Sequence, residues 1–126
     1  MNETKAIIKG KGAVGLAIAF FSLRGMISIP LQPCEYNLLF DDQIKINRIK
    51  VISCSYKSPY GIYIVSIRSM GGSMSKRIIK SFDEKSCDFV FIVTDVLDMY
   101  NIPSHEITSK NHISLALYAN YKVLLA

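Results

Sequence analysis

The chain has 126 residues, 50% of them hydrophobic and 20% charged. That suffices for one domain over 1–126 with a buried core, and it excludes disordered and collagen-like classes. Fifteen Lys and Arg against ten Asp and Glu leave a formal charge of +5, which suits an anionic partner but is also an ordinary solubility charge. Cys34, Cys54 and Cys87 form an odd, widely spaced set without a CxxC pair, and neither His105 nor His112 has a thiol beside it. The pattern indicates reduced, buried thiols in a cytoplasmic protein rather than a disulfide framework or a zinc site.

In chain order, the first segment to interpret is the apolar run Ala13–Leu23 behind Lys9 and Lys11. It has the outline of a secretory signal, but it is too short to span a bilayer, Arg24 closes it and no small-x-small site follows. It reads as a buried core helix. Gly10, Gly12 and Gly15 spell GxGxxG, the pattern that closes a backbone on a pyrophosphate. The strand before it would be only Ala6–Ile8, and no acid follows Ile29 where a ribose ligand belongs. The glycines therefore read as close-packing positions in the helix. Gly25 suits the left-handed position after the helix end.

A short strand is expected over Met26–Pro30, then a hairpin from Glu35–Asp41 and Ile46–Ser53 around Asp42-Gln43. A third strand, Gly61–Ile67, follows the Ser58-Pro59 turn. Ser69–Ser75 reads as a flexible glycine-rich loop leading into Lys76 and Arg77. Phe82–Ser86 suits a helical turn. Asp88–Thr94 is almost wholly apolar, so both of its faces should be covered. Met99–Pro103, a turn at Ser104–Ile107 and Ile113–Leu117 complete the pattern. These elements describe an α/β (α+β) fold, one helix packed on a mixed sheet of five or so strands.

Strict alternation divides the hairpin into two faces. Tyr36, Leu38, Phe40, Ile49 and Val51 fall on the core face, and Glu35, Asn37, Leu39 and Asp41 fall opposite with Arg48, Lys50 and Ile52. The order of helix, Ile29-Pro30, Tyr36-Asn37-Leu38, Lys50-Val51-Ile52, Tyr100-Asn101-Ile102-Pro103 and Ser114-Leu115-Ala116-Leu117 resembles the PD-(D/E)XK endonucleases of the group I intron homing type, from about Gly12 to Leu117. The resemblance implies a restriction-endonuclease-like core. In that family a helix Glu and carboxylates from both hairpin strands hold Mg²⁺ against the scissile phosphate, and a Lys two residues after the second acid positions the attacking water.

Carried over residue by residue, the helix Glu falls on Leu16, the essential Asp on Asn37, the second acid on Lys50 and the Lys on Ile52. The resemblance thus implies the framework without its catalytic set, with no catalytic residue, metal or cofactor. Lys50 would stand where the ion belongs and exclude it, since two like charges a few ångströms apart repel by roughly a few kcal/mol near a surface. Glu35 and Asp41 are the fallback ligands for a migrated Mg²⁺ site.

The expected partner is duplex DNA, bound by Arg48, Lys50, Lys57, Arg68, Lys76, Arg77 and Lys80 without cleavage, as a repressor or site-masking factor. An active Mg²⁺-dependent endonuclease and a protein-binding decoy remain the alternatives. Tyr56, Tyr60 and Tyr63 are candidates for nucleic-acid contact, but alternating Tyr more often packs within a sheet. His105 and His112 read as structural or surface residues. No membrane partner is indicated, the expected location is cytoplasmic and nucleoid-associated, and family members of this size form homo-oligomers. The apolar stretch Tyr118–Ala126 is either a subunit contact or a last element on the core.

Overall fold

The computed structural model describes residues 11–31, 35–73 and 76–126, with side chains for all of these except 11 and 70–78. Gly10, Cys34 and the Met74-Ser75 end of the glycine-rich segment lie outside the described residues, as do the side chains of Lys76 and Arg77. Helix α1 spans Lys11–Ser22. Ala13, Ala17, Phe20 and Phe21 are buried along it, a helical stripe that seats it on the sheet. Gly12 and Gly15 lie inside this helix rather than in a loop before it, which removes the phosphate-cradle reading of the glycines.

Six strands form the main sheet in the order β1-β2-β3-β7-β8-β10. They are β1 (Met26–Ser28), β2 (Leu38–Asp41), β3 (Ile46–Cys54), β7 (Phe89–Thr94), β8 (Met99–Pro103) and β10 (Lys122–Val123). All neighbours are antiparallel except β3 and β7. A parallel pair cannot be closed by a tight turn, and the connection between these two carries β4 (Ile64–Ser66), β5 (Ser69–Ser73) and β6 (Lys76–Lys80). β4 pairs with β9 (His112–Ser114) in a small second sheet, and β5 pairs with β6 in a third. Short 3-10 segments cover Ser104–Glu106 and Leu115–Tyr121. The segment expected as a flexible glycine-rich loop is therefore half of a hairpin. Gly71 and Gly72 pair with Ile78 and Arg77, and backbone pairing takes precedence over the turn preference of the glycines.

The core has two halves, one on each face of this sheet. On the helix side Phe20, Phe21, Leu38, Ile49, Phe91, Val93 and Met99 pack together, with the Phe20 and Phe91 rings 5.2 Å apart and Phe21 4.8 Å from Phe40. On the other side Val90, Ile92 and Ile102 meet Val65, Ile67, Phe82, Cys87, Ile113 and Leu115. Successive residues of β7 thus point into opposite clusters, as its unbroken apolar sequence requires. Cys54 and Cys87 are buried free thiols, and burial pushes both above the ordinary thiol pKa. The end of the chain lies against the helix terminus: Arg24 sits 3.7 Å over the Phe20 ring and donates to the carbonyls of Phe20, Leu124 and Leu125. Leu124 and Leu125 keep 75% and 38% of their surface exposed. No helix among the described residues is long and apolar enough to cross a membrane.

Two glycines change meaning. Among the described glycines only Gly61 has a positive φ, 78°, so Gly25 is not left-handed. It is required for room, because a Cβ there would lie 2.6 Å from the Asp41 carbonyl oxygen and 2.8 Å from the Phe40 ring. Gly15 has nothing within 4 Å of the same position, so close packing does not explain it. Gly25→Ala is expected to destabilise by about 1–3 kcal/mol through overpacking, whereas Gly15→Ala should stabilise by about 0.5–1 kcal/mol through helix propensity. Urea denaturation of the two variants against the parent measures both signs.

Candidate nucleic-acid interface

A break in the alternation of β2 decides which side chains meet. Leu38 pairs with Ile49, and the N–H of Asn37 also reaches the Ile49 carbonyl, at 2.7 Å. Two residues therefore stand against one, which is a β-bulge, and it shifts the phase of everything before it by one position. Tyr36, expected beside Leu38 and Phe40, packs instead on the cluster away from the helix. Asn37, expected on that far face, lines a cleft of about 540 Å³ with Ala13, Val14, Gly15, Ile18, Val51 and Ser53. Its Oδ1 accepts the Val51 N–H at 2.7 Å, replacing the ladder partner that the bulge removes.

The cleft thus brings together the start of the helix, Asn37, Val51 and Ser53, and not the set assigned from the resemblance. Leu16 packs against the helix-side cluster. Lys50 and Ile52 belong to the opposite face: Ile52 packs on the far cluster, and the Lys50 ammonium donates to the Ile67 carbonyl at 3.2 Å and lies 5.8 Å from the Phe82 ring centre. Burial lowers the Lys50 pKa below the usual lysine value, with Cys87 and Glu35 pulling the other way. Lys50 does not stand where an ion was expected, because a side chain one residue from Val51 must point through the sheet.

The donor set of the cleft does not fit a divalent cation. Mg²⁺ seeks anionic oxygens. Val51 offers none, Ser53 is neutral, and the Asn37 oxygen is engaged by the Val51 N–H. The other half of that amide is an N–H donor, which suits an anionic oxygen and repels a cation. Glu35 and Asp41 are not brought together: Glu35 precedes β2, while Asp41 closes its far end at the hairpin turn and accepts the Gln43 N–H. Six residues of extended chain correspond to about 20 Å. Among the described residues no group of three or more His, Cys, Asp or Glu side chains is placed to share a metal.

The expected cations divide into engaged and outlying groups. Arg48 is fastened to Asp88, which accepts its backbone N–H at 2.7 Å and its Nε at 3.2 Å, and Lys45 adds a second ion pair at 3.5 Å. Lys57 lies 4.8 Å over the Tyr63 ring. Arg68 and Lys80 are exposed, and Lys76 and Arg77 occupy β6. Tyr63 is a packing residue, its hydroxyl bonded to Asp95 and its pKa pushed up to about 12 by burial and that bond. Tyr56 and Tyr60 depart from the sheet-packing expectation, being 63% and 89% exposed. Tyr60 rides a turn in which the Gly61 N–H reaches the Ser58 carbonyl, with Pro59 at the position this turn favours. His105 and His112 are exposed, as expected.

No family model and no curated protein matches the chain. Among solved structures, a bacterial homing endonuclease, I-Ssp6803I, aligns with a TM-score of 0.70 over 86% of this chain and 76% of that one, at 20% sequence identity. The chain has a nuclease-like fold. The expectation of a restriction-endonuclease-like core, with a helix on a mixed sheet, holds at that level, and the sheet has six strands rather than five or so.

Asp88 carries the clearest electrostatic consequence. Burial opposes its ionisation, but the Arg48 backbone N–H and guanidinium outweigh it and hold its pKa below the ordinary value of 3.8. A depressed carboxylate stabilises the fold at neutral pH, and that contribution disappears as the pH falls through the folded-state pKa. Asp88→Asn is expected to cost about 1–3 kcal/mol at pH 7. The gap from the parent should narrow as the pH falls below the ordinary value of 3.8, as followed by thermal melts across pH.

Proposed function

We propose that this chain binds duplex DNA without cutting it, as a member of the PD-(D/E)XK group whose metal-binding chemistry has been replaced. The observation that carries this reading is the cleft itself. At the place where α1 meets the hairpin, Asn37, Val51 and Ser53 supply a neutral surface with no carboxylate. The fold likeness to a homing endonuclease supports the class of ligand. Charge distribution supports it further: from Gln43 to Phe82 the sequence has eight Lys and Arg and no Asp or Glu. Of these, Lys57, Arg68 and Lys80 are exposed, and exposed cations gain affinity by releasing counterions from DNA phosphates.

The protein would act by occupying its site, blocking transcription or masking a cleavage position. The exposed Leu124 and Leu125 support assembly into a homo-oligomer, which lets small subunits cover a longer site. No bound cofactor enters this reading. A migrated Mg²⁺ site is disfavoured by the separation of Glu35, before β2, from Asp41 at its far end.

Supercoiled plasmid incubated with the protein and Mg²⁺ or Mn²⁺ should stay intact while being retarded equally with and without chelator. The affinity should fall linearly on a logarithmic salt axis, with a slope of about −0.9 per phosphate neutralised. Chelator-sensitive nicking would overturn the non-cleaving reading in favour of an active endonuclease, and no retention at low salt would favour a protein-binding decoy.

A further inference from the structure

A second groove, of about 560 Å³, lies where the end of β3 meets β4 and β9. Its volume falls within the range of about 300–1,000 Å³ typical of small-molecule sites. Alternation along β4 builds its floor. Val65 turns into the core and is 1% exposed, so Ile64 and Ser66 face outward. His112 stands directly opposite Ser66 in the pairing of β4 with β9, which places the two Cβ atoms about 5 Å apart on one face. All three residues line the groove, together with Ser55 and Tyr56.

Tyr56 forms the wall, and the backbone holds it in place. The chain doubles back over 56–64, with Lys57 bridged to Tyr63. The Ser58 N–H reaches the Ile62 carbonyl at 2.8 Å, and the Ile64 N–H reaches the Tyr56 carbonyl at 3.2 Å. The buried Cys54 thiol lies 3.5 Å from the Ile64 carbonyl and 3.8 Å from that of Tyr56, within hydrogen-bond reach of each. Wall and floor are thus tied together, yet Tyr56 remains 63% exposed. An aromatic ring on so fixed a backbone is suited to stack on a flat partner at little entropic cost.

The chemistry around the ring defines that partner. The Ser55 and Ser66 hydroxyls both donate and accept, and the His112 imidazole adds a further polar group. Such a set suits the mixed donor and acceptor edge of a nucleobase. No residue lining the groove is a carboxylate. Exposed cations flank it along the chain, Lys57 next to Tyr56 and Arg68 two residues beyond Ser66. A phosphate attached to a base in the groove would therefore meet positive charge and no negative charge from the lining.

We propose that this groove receives one nucleobase extruded from the duplex, stacked on Tyr56, with Ser66 and His112 on its hydrogen-bonding edge. The proposal deepens the DNA-binding reading above and rests on it. Extrusion costs stacking and pairing energy, least where the base is already unpaired. The site therefore favours a duplex in which one nucleotide lacks a partner.

The test compares three duplexes of one sequence: fully paired, carrying one bulged nucleotide, and carrying an abasic residue at the bulge. The intact protein should bind the bulged duplex more tightly than the other two, by about five-fold or more. Tyr56→Ala should erase that preference, whereas Tyr56→Phe, which keeps the ring, should retain it. The position is exposed, and unchanged melting temperatures verify that both variants are folded. With 5-iodouracil as the bulged base, irradiation should couple it to Tyr56 or His112, as identified by mass spectrometry of the digested complex. Equal affinity for the bulged and abasic duplexes overturns the groove proposal and leaves DNA binding standing. A preference that survives Tyr56→Ala, or coupling confined to other residues, does the same. Failure of the intact protein to retain any duplex at low salt overturns the DNA-binding reading and the groove proposal with it.

Discussion

The parallel pairing of β3 with β7 is the constraint on which the rest of the molecule depends. It runs from Ile49↔Phe89 to Cys54↔Thr94, and β7 is buried on both faces, with Val90 to Thr94 fully enclosed. A strand in that position cannot slip by one residue without exchanging its two clusters. The register is set at one end by Asp88, which takes the Arg48 N–H on its carboxylate while its own N–H reaches the Arg48 carbonyl. A partly exposed, hydrogen-bonded ion pair beside the first rung makes a shifted register costly, because the backbone N–H groups of both residues would lose their partners.

That pairing also explains where the elements outside the main sheet are built. Parallel neighbours require a long return path, and the path from Cys54 to Phe89 is where β4, the β5–β6 ribbon and the exposed Tyr60 turn are built. The same acid-free stretch of sequence contributes β3 to the core and the ribbon to the surface, so one region joins the stable part of the molecule to its cationic part. Lys50 is the joint, leaving β3 on the face away from the helix and ending at the foot of the ribbon.

The cleft beside α1 presents the reverse case, a site defined by what one irregularity does to alternation. Without the bulge at Asn37 the side chain would lie with Lys50 beyond the sheet. With it, Asn37 faces Val51 and Ser53, and its amide oxygen is spent on the backbone. The neutrality of the cleft follows from those three residues and not from a lysine charge within it.

Several of these features were legible in the residues alone. The apolar run of β7, the amphipathic spacing of Ala13, Ala17, Phe20 and Phe21, the Asp42-Gln43 hairpin and the buried thiols Cys54 and Cys87 follow from local periodicity and composition, because burial acts on each position separately. The nuclease-like fold was legible from the order and spacing of short motifs. What only the tertiary structure decided was phase and partnership. A bulge is invisible to an alternation rule, so Tyr36 and Asn37 exchanged faces and Asn37 was parted from Lys50. Glycines favour turns locally, yet Gly71 and Gly72 are strand residues, set in register opposite Ile78 and Arg77. Gly25 is required by a carbonyl sixteen residues away, that of Asp41. In each case the deciding contact joins residues distant in sequence, and no local propensity encodes such a contact.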